Sequence, residues 1–320
     1  MTDRPAGAMQ AGTGRVRTVF LGSGPFGIPS LRLLAAHPYL EIVAVVTAPA
    51  RPVGRRRALT PTPIAVVATE LGLEPVLTPA RLRSPESIVE ALADRPSMAV
   101  LVDYGQIVPP AILELPAGAL NLHPSLLPRH RGATPIPGAI LAGDTETGVT
   151  VIRMDAGIDT GPILAQERIR LDGTEATPAL EERLSVDGAE LLGRTLGPWL
   201  RGELTAEPQD EADATSTRPL RREDGRLRAS KPAAELERQV RAFDGWPGSF
   251  AETPHGRLIV HEAAVDADAP GPFGTIDEVG LNTVAGRLAF RTVQPAGGRV
   301  MSWADYLRGG RKLVGSSIVE

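Results

Sequence analysis

The sequence predicts an α/β protein in which a mostly parallel sheet, covered by helices, precedes a smaller β-rich domain. Short apolar, β-branched runs alternate with segments of helical periodicity over residues 16–200, and such alternation is typical of a parallel sheet covered on both faces. The residues from 220 onward contain short strands with frequent glycines, which is typical of a small barrel. A polar stretch at 201–219 separates the two regions.

In the first domain, which we place at 16–200, apolar strands and amphipathic helices follow one another. The strands are predicted at 16–22, 41–47, 74–78, 97–105, 118–123, 147–155 and 161–171. The helices are predicted at 29–37, 62–73, 84–95, 135–143 and 177–200. Thr62 and Pro63 mark one helix start, because threonine is a frequent N-cap and proline fits the first turn. The strands at 147–155 and 161–171 are close enough in sequence to form a hairpin.

The stretch 201–219, "RGELTAEPQDEADATSTRP", is acidic and aperiodic, and we interpret it as a linker. The C-terminal domain is placed at 220–320. It opens with a helix at 231–244 and continues with short strands at 257–265, 271–279 and 281–295, which favours a small, OB-like β-barrel. Residues 1–15 lack the apolar core of a signal peptide and are expected to be a disordered tail.

Composition excludes several functional classes. The formal net charge is −4, so any affinity for nucleic acid must come from local clusters of arginine. The absence of cysteine excludes disulfides, thiolate catalysis and cysteine-ligated metal, and we expect no bound metal. Apolar runs stay shorter than the roughly 20 residues of a membrane span. We therefore expect a cytoplasmic protein that makes no membrane contact.

Gly22, Gly24 and Gly27 follow the first strand at the G-x-G-x-x-G spacing of a dinucleotide site. Such a site usually has a carboxylate about 20 residues on, at the end of the second strand, to bind the ribose. Here that strand is followed by "TAPARPVGRRR", without a carboxylate. The arginines could bind the 2′-phosphate of NADP, so an NADP-dependent oxidoreductase is one alternative. Pro25 and Phe26 are bulky where a pyrophosphate would approach, which favours a tight strand-to-helix turn.

A cluster of polar side chains lies downstream, in "NLHPSLLPRHRGATP" (121–135) and "MDAGIDTG" (154–161). Asn121 and His123 are two residues apart at a strand end, so their side chains point to the same face at the carboxyl edge of the sheet. Asp159 lies in a glycine-rich turn from which it could reach a histidine. A donor, an acid/base and a carboxylate together suit the attack of an amine on a carbonyl carbon. Because no serine or cysteine nucleophile is evident, direct transfer is favoured over a covalent enzyme intermediate.

These stretches closely resemble the folate-dependent formyltransferases. The resemblance implies a Rossmann-like formyltransferase domain and 10-formyltetrahydrofolate as the formyl donor. Asn121, His123 and Asp159 match the N-x-H motif and the aspartate of "MDxGxDTG" in this family, which implies that they are catalytic.

Two further stretches match family motifs linked to the folate. The first resembles "SLLPxxRG", and the implied folate-binding residues are Ser125, Leu126, Leu127 and Pro128. The second, "DYGQIVP" at 103–109, resembles a pocket loop and adds Tyr104 and Gly105. Asp103 replaces the small apolar residue expected before the tyrosine.

Within the family, the chain most resembles the members that formylate initiator methionyl-tRNA, which implies this tRNA as partner of a monomeric enzyme. The loop 47–63 resembles an insertion that grips the acceptor end, and arginines there could contact phosphates. The implied tRNA-binding residues are Arg51, Arg55, Arg56, Arg57, Arg221 and Arg222. An amino-sugar nucleotide N-formyltransferase would keep the chemistry and change the acceptor, and a non-catalytic RNA-binding protein is a further alternative.

Overall fold

The computed structural model describes residues 14–53, 57–267, 271–309 and 313–319, which form two compact units. The first unit takes in the chain up to Pro135, Thr147–Ile169 and Glu181–Thr217. The second takes in Ile136–Glu146, Arg170–Leu180 and the chain from Arg218 onward. Of the predicted tail, only residues 14 and 15 lie within the described ranges.

The chain up to residue 217 contains the strands and helices of the predicted α/β region. Its strands are β1 (Val16–Gly22), β2 (Leu40–Val46), β3 (Arg51–Val53), β4 (Ala58–Thr60), β5 (Val76–Leu77), β6 (Met98–Val102), β7 (Ala119–His123), β8 (Arg131–Gly132), β9 (Glu146–Arg153), β10 (Ile163–Arg170) and β11 (Ser216–Thr217). Its helices are α1 (Ile28–Ala35), α2 (Pro63–Glu70), α3 (Pro85–Ala91), α4 (Pro110–Leu113), α5 (Pro135–Ala142) and α6 (Thr177–Leu200).

Seven of these strands form the main sheet, in the order β10–β9–β7–β6–β1–β2–β5. The strands from β7 to β5 are parallel, and β9 runs antiparallel to β7. Val19, Phe20 and Leu21 of β1 are fully buried, as expected for a central strand covered on both faces. The mostly parallel α/β fold predicted from the sequence is confirmed.

The register brings the ends of three strands to one edge. Gly22 of β1 pairs with Val102 of β6, and Val102 in turn pairs with Leu122 of β7. The residues that follow β1 and β6 therefore lie beside His123, at the carboxyl edge where open α/β sheets bind ligands.

The basic insertion between β2 and α2 contains a hairpin that the sequence did not indicate. Residues of β3 and β4 pair antiparallel, with Arg51 opposite Thr60. Strands of three residues are too short to show an alternating pattern, which explains why only a loop was predicted. The connection at 54–56 lies outside the described residues.

The second unit contains an antiparallel sheet. Its elements are α7 (Ala233–Ala242), β12 (Ser249–Thr253), β13 (Gly256–Asp266), β14 (Gly280–Asn282), β15 (Arg287–Pro295), β16 (Met301–Ser302) and α8 (Trp303–Arg308). The strand order is β12–β13–β15–β14, with β16 also paired to β15, which is consistent with the predicted small barrel. Leu236 and Val240 of α7 are buried in the same core as Phe290 and Trp303.

One predicted strand of this unit is wrong. At 271–279 the structure has isolated bridges at Thr275 and Ile276 instead of a continuous strand. Gly271, Pro272 and Gly274 precede them, and both residue types weaken strands.

Within the described part of the chain, no helix is both long and apolar enough to cross a membrane.

Candidate active site

Asn121, His123 and Asp159 lie together at the carboxyl edge of the sheet. The amide Nδ2 of Asn121 donates a hydrogen bond to Asp159 Oδ1 over 3.2 Å. His123 Nδ1 lies 3.6 Å from Asp159 Oδ2. The two-residue spacing on β7 therefore brings the amide and the imidazole to one carboxylate.

The imidazole of His123 is held on its other side by a backbone group. The ring is buried, and its Nε2 lies 3.0 Å from the carbonyl oxygen of His130. Because a carbonyl oxygen only accepts hydrogen bonds, Nε2 carries a hydrogen and donates it. Nδ1, which faces Asp159, is then the ring atom that can gain and lose a proton. The carboxylate that faces this nitrogen fixes the orientation of the ring.

The turn that carries Asp159 is fixed by its own side chains and by a neighbouring glycine. Asp155 Oδ1 accepts hydrogen bonds from Gly157 N–H over 2.9 Å and from the Thr160 hydroxyl over 2.7 Å. Asp159 has a φ of 53°, in the left-handed region, and its Oδ2 accepts from Gly132 N–H over 2.8 Å.

Gly132 cannot be replaced without a shift of the backbone. Its φ is 100°, and a Cβ there would lie 2.3 Å from the carbonyl oxygen of Thr217. Only glycine combines this conformation with so close a neighbour. The backbone N–H that binds Asp159 thus depends on a glycine.

The stretch interpreted as a linker makes direct contacts with this turn. Gln209 Nε2 donates to the carbonyl oxygens of Asp159 and Gly161, each over 2.7 Å. Arg131 donates to Gln209 Oε1 and to the carboxylate of Glu211. Sequence reasoning missed Gln209 and Glu211, because a polar, aperiodic stretch gives no local signal of contacts with residues 50 or 80 positions away.

The loop that resembles the folate motif is fastened to β9 and β10. Thr150 Oγ1 donates to Ser125 O over 2.6 Å, and Gln166 Nε2 donates to Leu127 O over 2.7 Å. Ser125 and Leu127 are buried, and the Ser125 hydroxyl donates to the carbonyl of Arg129. The half-buried members of the four are Leu126 and Pro128, whose apolar surfaces lie at the solvent boundary.

The second stretch assigned to the folate follows β6. Tyr104 packs against the apolar core of the first unit, and burial raises its pKa to about 12. Among the residues that the structure describes, none hydrogen-bonds the buried Tyr104 hydroxyl. Gly105 is exposed, and a Cβ there would meet open space.

Asp103, next to Tyr104, closes the glycine turn after β1. Its backbone oxygen accepts from Ser23 N–H over 3.0 Å, and a Cβ on Gly24 would collide with its carboxylate. Although the residue is partly exposed, the ends of β1 and β6 surround its carboxyl group, and this burial raises the pKa. A carboxylate here would repel a pyrophosphate, which argues against the NADP alternative.

The arginines assigned to tRNA fall into two groups. In the first unit, Arg51 on β3 and Arg57 are exposed, whereas Arg55 and Arg56 lie outside the described residues. In the second unit, Arg221 and Arg222 are exposed.

Arg222 borders a cavity that lies within the second unit. Its guanidinium carbon is 5.9 Å from the ring centroid of Trp246, whose exposed fraction is 54%. Both side chains line a cavity of about 370 Å³, together with Phe250, Arg257 and His261. Neighbouring Arg218 pairs with Asp224 and lowers the pKa of that carboxyl to about 2.

A parallel sheet with an amide, an imidazole and a carboxylate at its carboxyl edge has the groups for acyl transfer to an amine. Residues 17–196 match the family model described as formyl transferase, and residues 219–311 match the one described as formyl transferase, C-terminal domain. The chain belongs to the formyl transferase family.

Two relatives match this chain over nearly its whole length. A methionyl-tRNA formyltransferase from Roseiflexus sp. (strain RS-1) is 44% identical over 301 residues, which cover 92% of each chain. Another, from Chloroflexus aggregans, is 44% identical over 302 residues, which cover 92% of this chain and 97% of that protein. The N-formyltransferase of Helicobacter canadensis, solved with folinic acid and dTDP-3-aminofucose, has a TM-score of 0.62 at 15% identity and covers 86% of this chain and 99% of that one. At that identity the likeness shows the fold.

Proposed function

We propose that this chain transfers the formyl group of 10-formyltetrahydrofolate to the α-amino group of initiator methionyl-tRNA. Relatives that carry the methionyl-tRNA formyltransferase name match it at 44% identity along more than nine-tenths of both chains. The observation that carries the chemistry is the cluster at the carboxyl edge of the sheet, in which Asn121 is hydrogen-bonded to Asp159 and His123 Nδ1 faces the same carboxylate over 3.6 Å.

The formyl group is polarised by donors from β7. Asn121 uses one amide N–H on Asp159, and its second N–H can donate to the formyl oxygen. As the amine attacks, negative charge grows on that oxygen, and preorganised donors stabilise it without rearrangement. Once His123 has taken the proton of the attacking amine, its ring adds positive charge beside the same edge. The donor set therefore fits a formyl carbonyl as its target.

The attacking amine must lose its proton. His123 Nδ1 and the Asp159 carboxylate face each other over 3.6 Å, and both belong to the set that borders the reacting carbon. We assign this proton to His123 Nδ1, with Asp159 orienting the imidazole and balancing its charge. As the bond from the amine to the formyl carbon forms and the bond from that carbon to N10 of the folate breaks, His123 passes the proton to N10, and tetrahydrofolate leaves. The chain has no cysteine, and the transfer is direct from donor to acceptor.

The folate lies against the stretch 125–128 and against Tyr104 and Gly105. Leu126 and Pro128 offer apolar surface to an aromatic ring system, and the buried Tyr104 hydroxyl is a donor for a polar atom at its edge. The remaining contacts of the loop 124–129 hold it against β9 and β10, as described above.

The tRNA is bound by arginines from the hairpin β3–β4 and from the second unit. Arg51, Arg55, Arg56 and Arg57 are assigned to phosphates of the acceptor end, and Arg221 and Arg222 to a second set of phosphates. We place the catalytic domain at 16–200 and the tRNA-binding domain at 220–320, in a monomer that acts in the cytoplasm.

A formylation assay tests the assignment by offering charged initiator tRNA, charged elongator tRNA and an amino-sugar nucleotide with the same folate donor. We expect the initiator tRNA to be formylated fastest. Preference for the sugar nucleotide would favour an amino-sugar N-formyltransferase.

The catalytic residues are tested in the same assay. Asn121→Ala is expected to lower kcat by about 10²- to 10³-fold, as for a lost donor to a developing oxyanion. His123→Ala and Asp159→Asn are also expected to lower kcat. His37→Ala, the same change at a histidine away from β7, is the matched control and keeps full activity. Wild-type turnover of Asn121→Ala would refute the proposed site.

A further inference from the structure

We propose that Gln209 and Thr215 are positioning residues that fix the two groups facing the His123 ring nitrogens, the Asp159 carboxylate and the His130 carbonyl. Both belong to the segment 207–217, which follows α6 and lies within the first unit. Gln209 holds the backbone of Asp159, and Thr215 holds the backbone of His130. The inference rests on the proposed function in one respect, namely that His123 and Asp159 are the acid/base pair.

Gln209 acts on the turn 155–161. Its Nε2 donates to two carbonyl oxygens of that turn, those of Asp159 and Gly161, each over 2.7 Å. A non-glycine residue occupies the left-handed region only when its surroundings favour it, and Asp159 has a φ of 53°. The direction of the Asp159 carboxylate follows from that backbone conformation, so Gln209 sets it from outside the turn.

Arg131 fixes the orientation of the Gln209 amide. Gln209 Oε1 accepts from Arg131 Nε over 3.0 Å and from Nη2 over 2.8 Å. Because a guanidinium has donors only, the amide oxygen must face Arg131 and the amide nitrogen must face the turn. The carboxylate of Glu211 pairs with the same guanidinium and keeps it in place; this pairing raises the pKa of Arg131 and lowers that of Glu211.

Thr215 acts on the other side of the imidazole. Its Oγ1 accepts from His130 N–H over 2.8 Å, and its backbone oxygen accepts from Arg131 N–H over 2.9 Å. Its own N–H donates to Pro128 O over 3.2 Å. The carbonyl of His130, whose φ is 57°, receives the Nε2 hydrogen of His123. The backbone around the His130 carbonyl, which orients the ring, is thus hydrogen-bonded to Thr215 at both His130 and Arg131.

The side chains of Gln209 and Thr215 hold the catalytic groups, whereas the one contact with the folate stretch, from Thr215 N–H to Pro128 O, is made by the backbone and is kept in side-chain variants. Gln209 and Thr215 are therefore expected to affect the chemical step and to leave substrate affinity unchanged. A displacement of about 1 Å in a catalytic group costs up to about 100-fold in rate, so the expected loss of kcat is about 10- to 100-fold with little change of KM.

Two variants remove one interaction each. Gln209→Glu keeps the length of the side chain and an acceptor for Arg131 but replaces the amide donors by carboxylate oxygen. Thr215→Val keeps the shape and removes the acceptor for His130 N–H, whereas Thr215→Ser keeps the hydroxyl and should retain kcat. Asp210→Ala is the matched control, because Asp210 caps a turn in the same segment through Ala212 N–H and its described side-chain contacts do not include the site.

A double-mutant cycle shows whether Gln209 acts through Asp159. We expect Gln209→Glu to reduce kcat in the wild-type background and to have little further effect in Asp159→Asn, because the carboxylate it positions is already gone. If Gln209→Glu does not fold, judged by its melting temperature, Gln209→Met replaces it in the cycle.

The outcomes separate this inference from the function on which it rests. An Asp159→Asn variant with wild-type kcat would refute the proposed acid/base pair. An impaired Asp159→Asn together with an additive or absent effect of Gln209→Glu would refute the positioning role alone. A rise in KM with unchanged kcat in Gln209→Glu or Thr215→Val would also overturn it.

Discussion

Asp103 follows β6 and contacts the turn after β1, and this turn contacts the segment after β2. Its backbone and carboxylate bind the turn at Ser23 and Gly24 after β1, as described above. Ser23 Oγ in turn accepts from Ala48 N–H, just after β2, over 3.1 Å. The carboxyl group also lies near Glu181 at the start of α6, and burial and the charge of Asp103 raise the pKa of Glu181. Asp103 and Glu181 are thus two neighbouring carboxyl groups with raised pKa values.

Replacement of Asp103 by asparagine is expected to stabilise the protein at neutral pH. A raised pKa in the folded state means that folding loses stability as pH rises through that pKa, relative to a side chain that stays neutral. The amide oxygen of the new side chain would remain an acceptor for the Gly24 N–H. The variant should melt at a higher temperature than the wild type at pH 7, and the difference should shrink toward zero as the pH falls below about 4, where the carboxyl becomes protonated in both states.

Thermal unfolding of Asp103→Asn and wild type between pH 3.5 and pH 8 measures this difference. Glu181→Gln should stabilise the wild type more than it stabilises Asp103→Asn, because the repulsion that it relieves is absent in the variant. A lower melting temperature of Asp103→Asn at pH 7 would show that the ionised carboxylate is a net stabilising group.

At the scale of elements, two irregular segments have a defined structure. The hairpin β3–β4 presents Arg51 on a paired strand and Arg57 just before β4, and both side chains are exposed. The segment 207–217 pairs β11 with β8 in parallel and bonds with residues 128–132. Each is held by hydrogen bonds to its partner strand more than by apolar burial, since most of its residues are exposed.

Charge reversal on the hairpin is expected to weaken tRNA binding. Each lost phosphate contact should reduce the slope of log affinity against log salt by about 1, and Arg51→Glu with Arg57→Glu should reduce it by about 2. The measurement is the affinity for charged initiator tRNA between about 50 and 200 mM salt.

Arg95→Glu is the matched control for the hairpin variants. Arg95 is exposed and precedes β6, so it lies at the edge of the sheet opposite to His123. An equal loss of affinity in Arg95→Glu would indicate a general effect of net charge and would remove the hairpin from the tRNA site.

At the scale of the whole molecule, a chain with a net negative charge carries exposed arginines in both of its units. The formal charge is −4. In the second unit exposed Arg222 lies over the exposed ring of Trp246, whereas half-buried Arg257 lies 3.7 Å from the ring centroid of buried Phe250. Arginine with exposed aromatic surface is a common arrangement for binding unpaired bases and their phosphates.

Trp246→Ala is expected to weaken tRNA binding about tenfold and to leave kcat at saturating tRNA unchanged. Loss of one stacked base costs about 1–3 kcal/mol of binding free energy, and a tenfold weaker affinity corresponds to about 1.4 kcal/mol. Affinity and turnover of the intact enzyme are measured side by side. Phe273→Ala removes an equally exposed ring outside the cavity and serves as control. Equal affinities of the two variants would contradict a role of the cavity.

The helices and strands that follow from apolar periodicity could be predicted from the sequence. The contacts that depend on long-range hydrogen bonds could not. β1 and α6 have the predicted ends, because apolar spacing marks them, and Thr62 caps α2 by accepting from Ala65 N–H. Asn121 and His123 could be placed together because strand residues two apart share a face. Gln209 could not be placed, since a polar stretch without periodicity carries no sign of the turn to which it bonds.

The contacts of the segment 207–217 also determine where the chain can be cut. A fragment that stops at Leu200, the end of α6, contains every strand of the main sheet but lacks the side chains that bond to Asp159 and His130. A fragment that stops at Thr217 retains them. The minimal boundary of the catalytic machinery is therefore set by hydrogen bonds from Gln209 and Thr215, which lie 9 and 15 residues beyond the end of α6 at Leu200. Deletion endpoints on either side of Gln209 should differ in activity far more than in secondary structure.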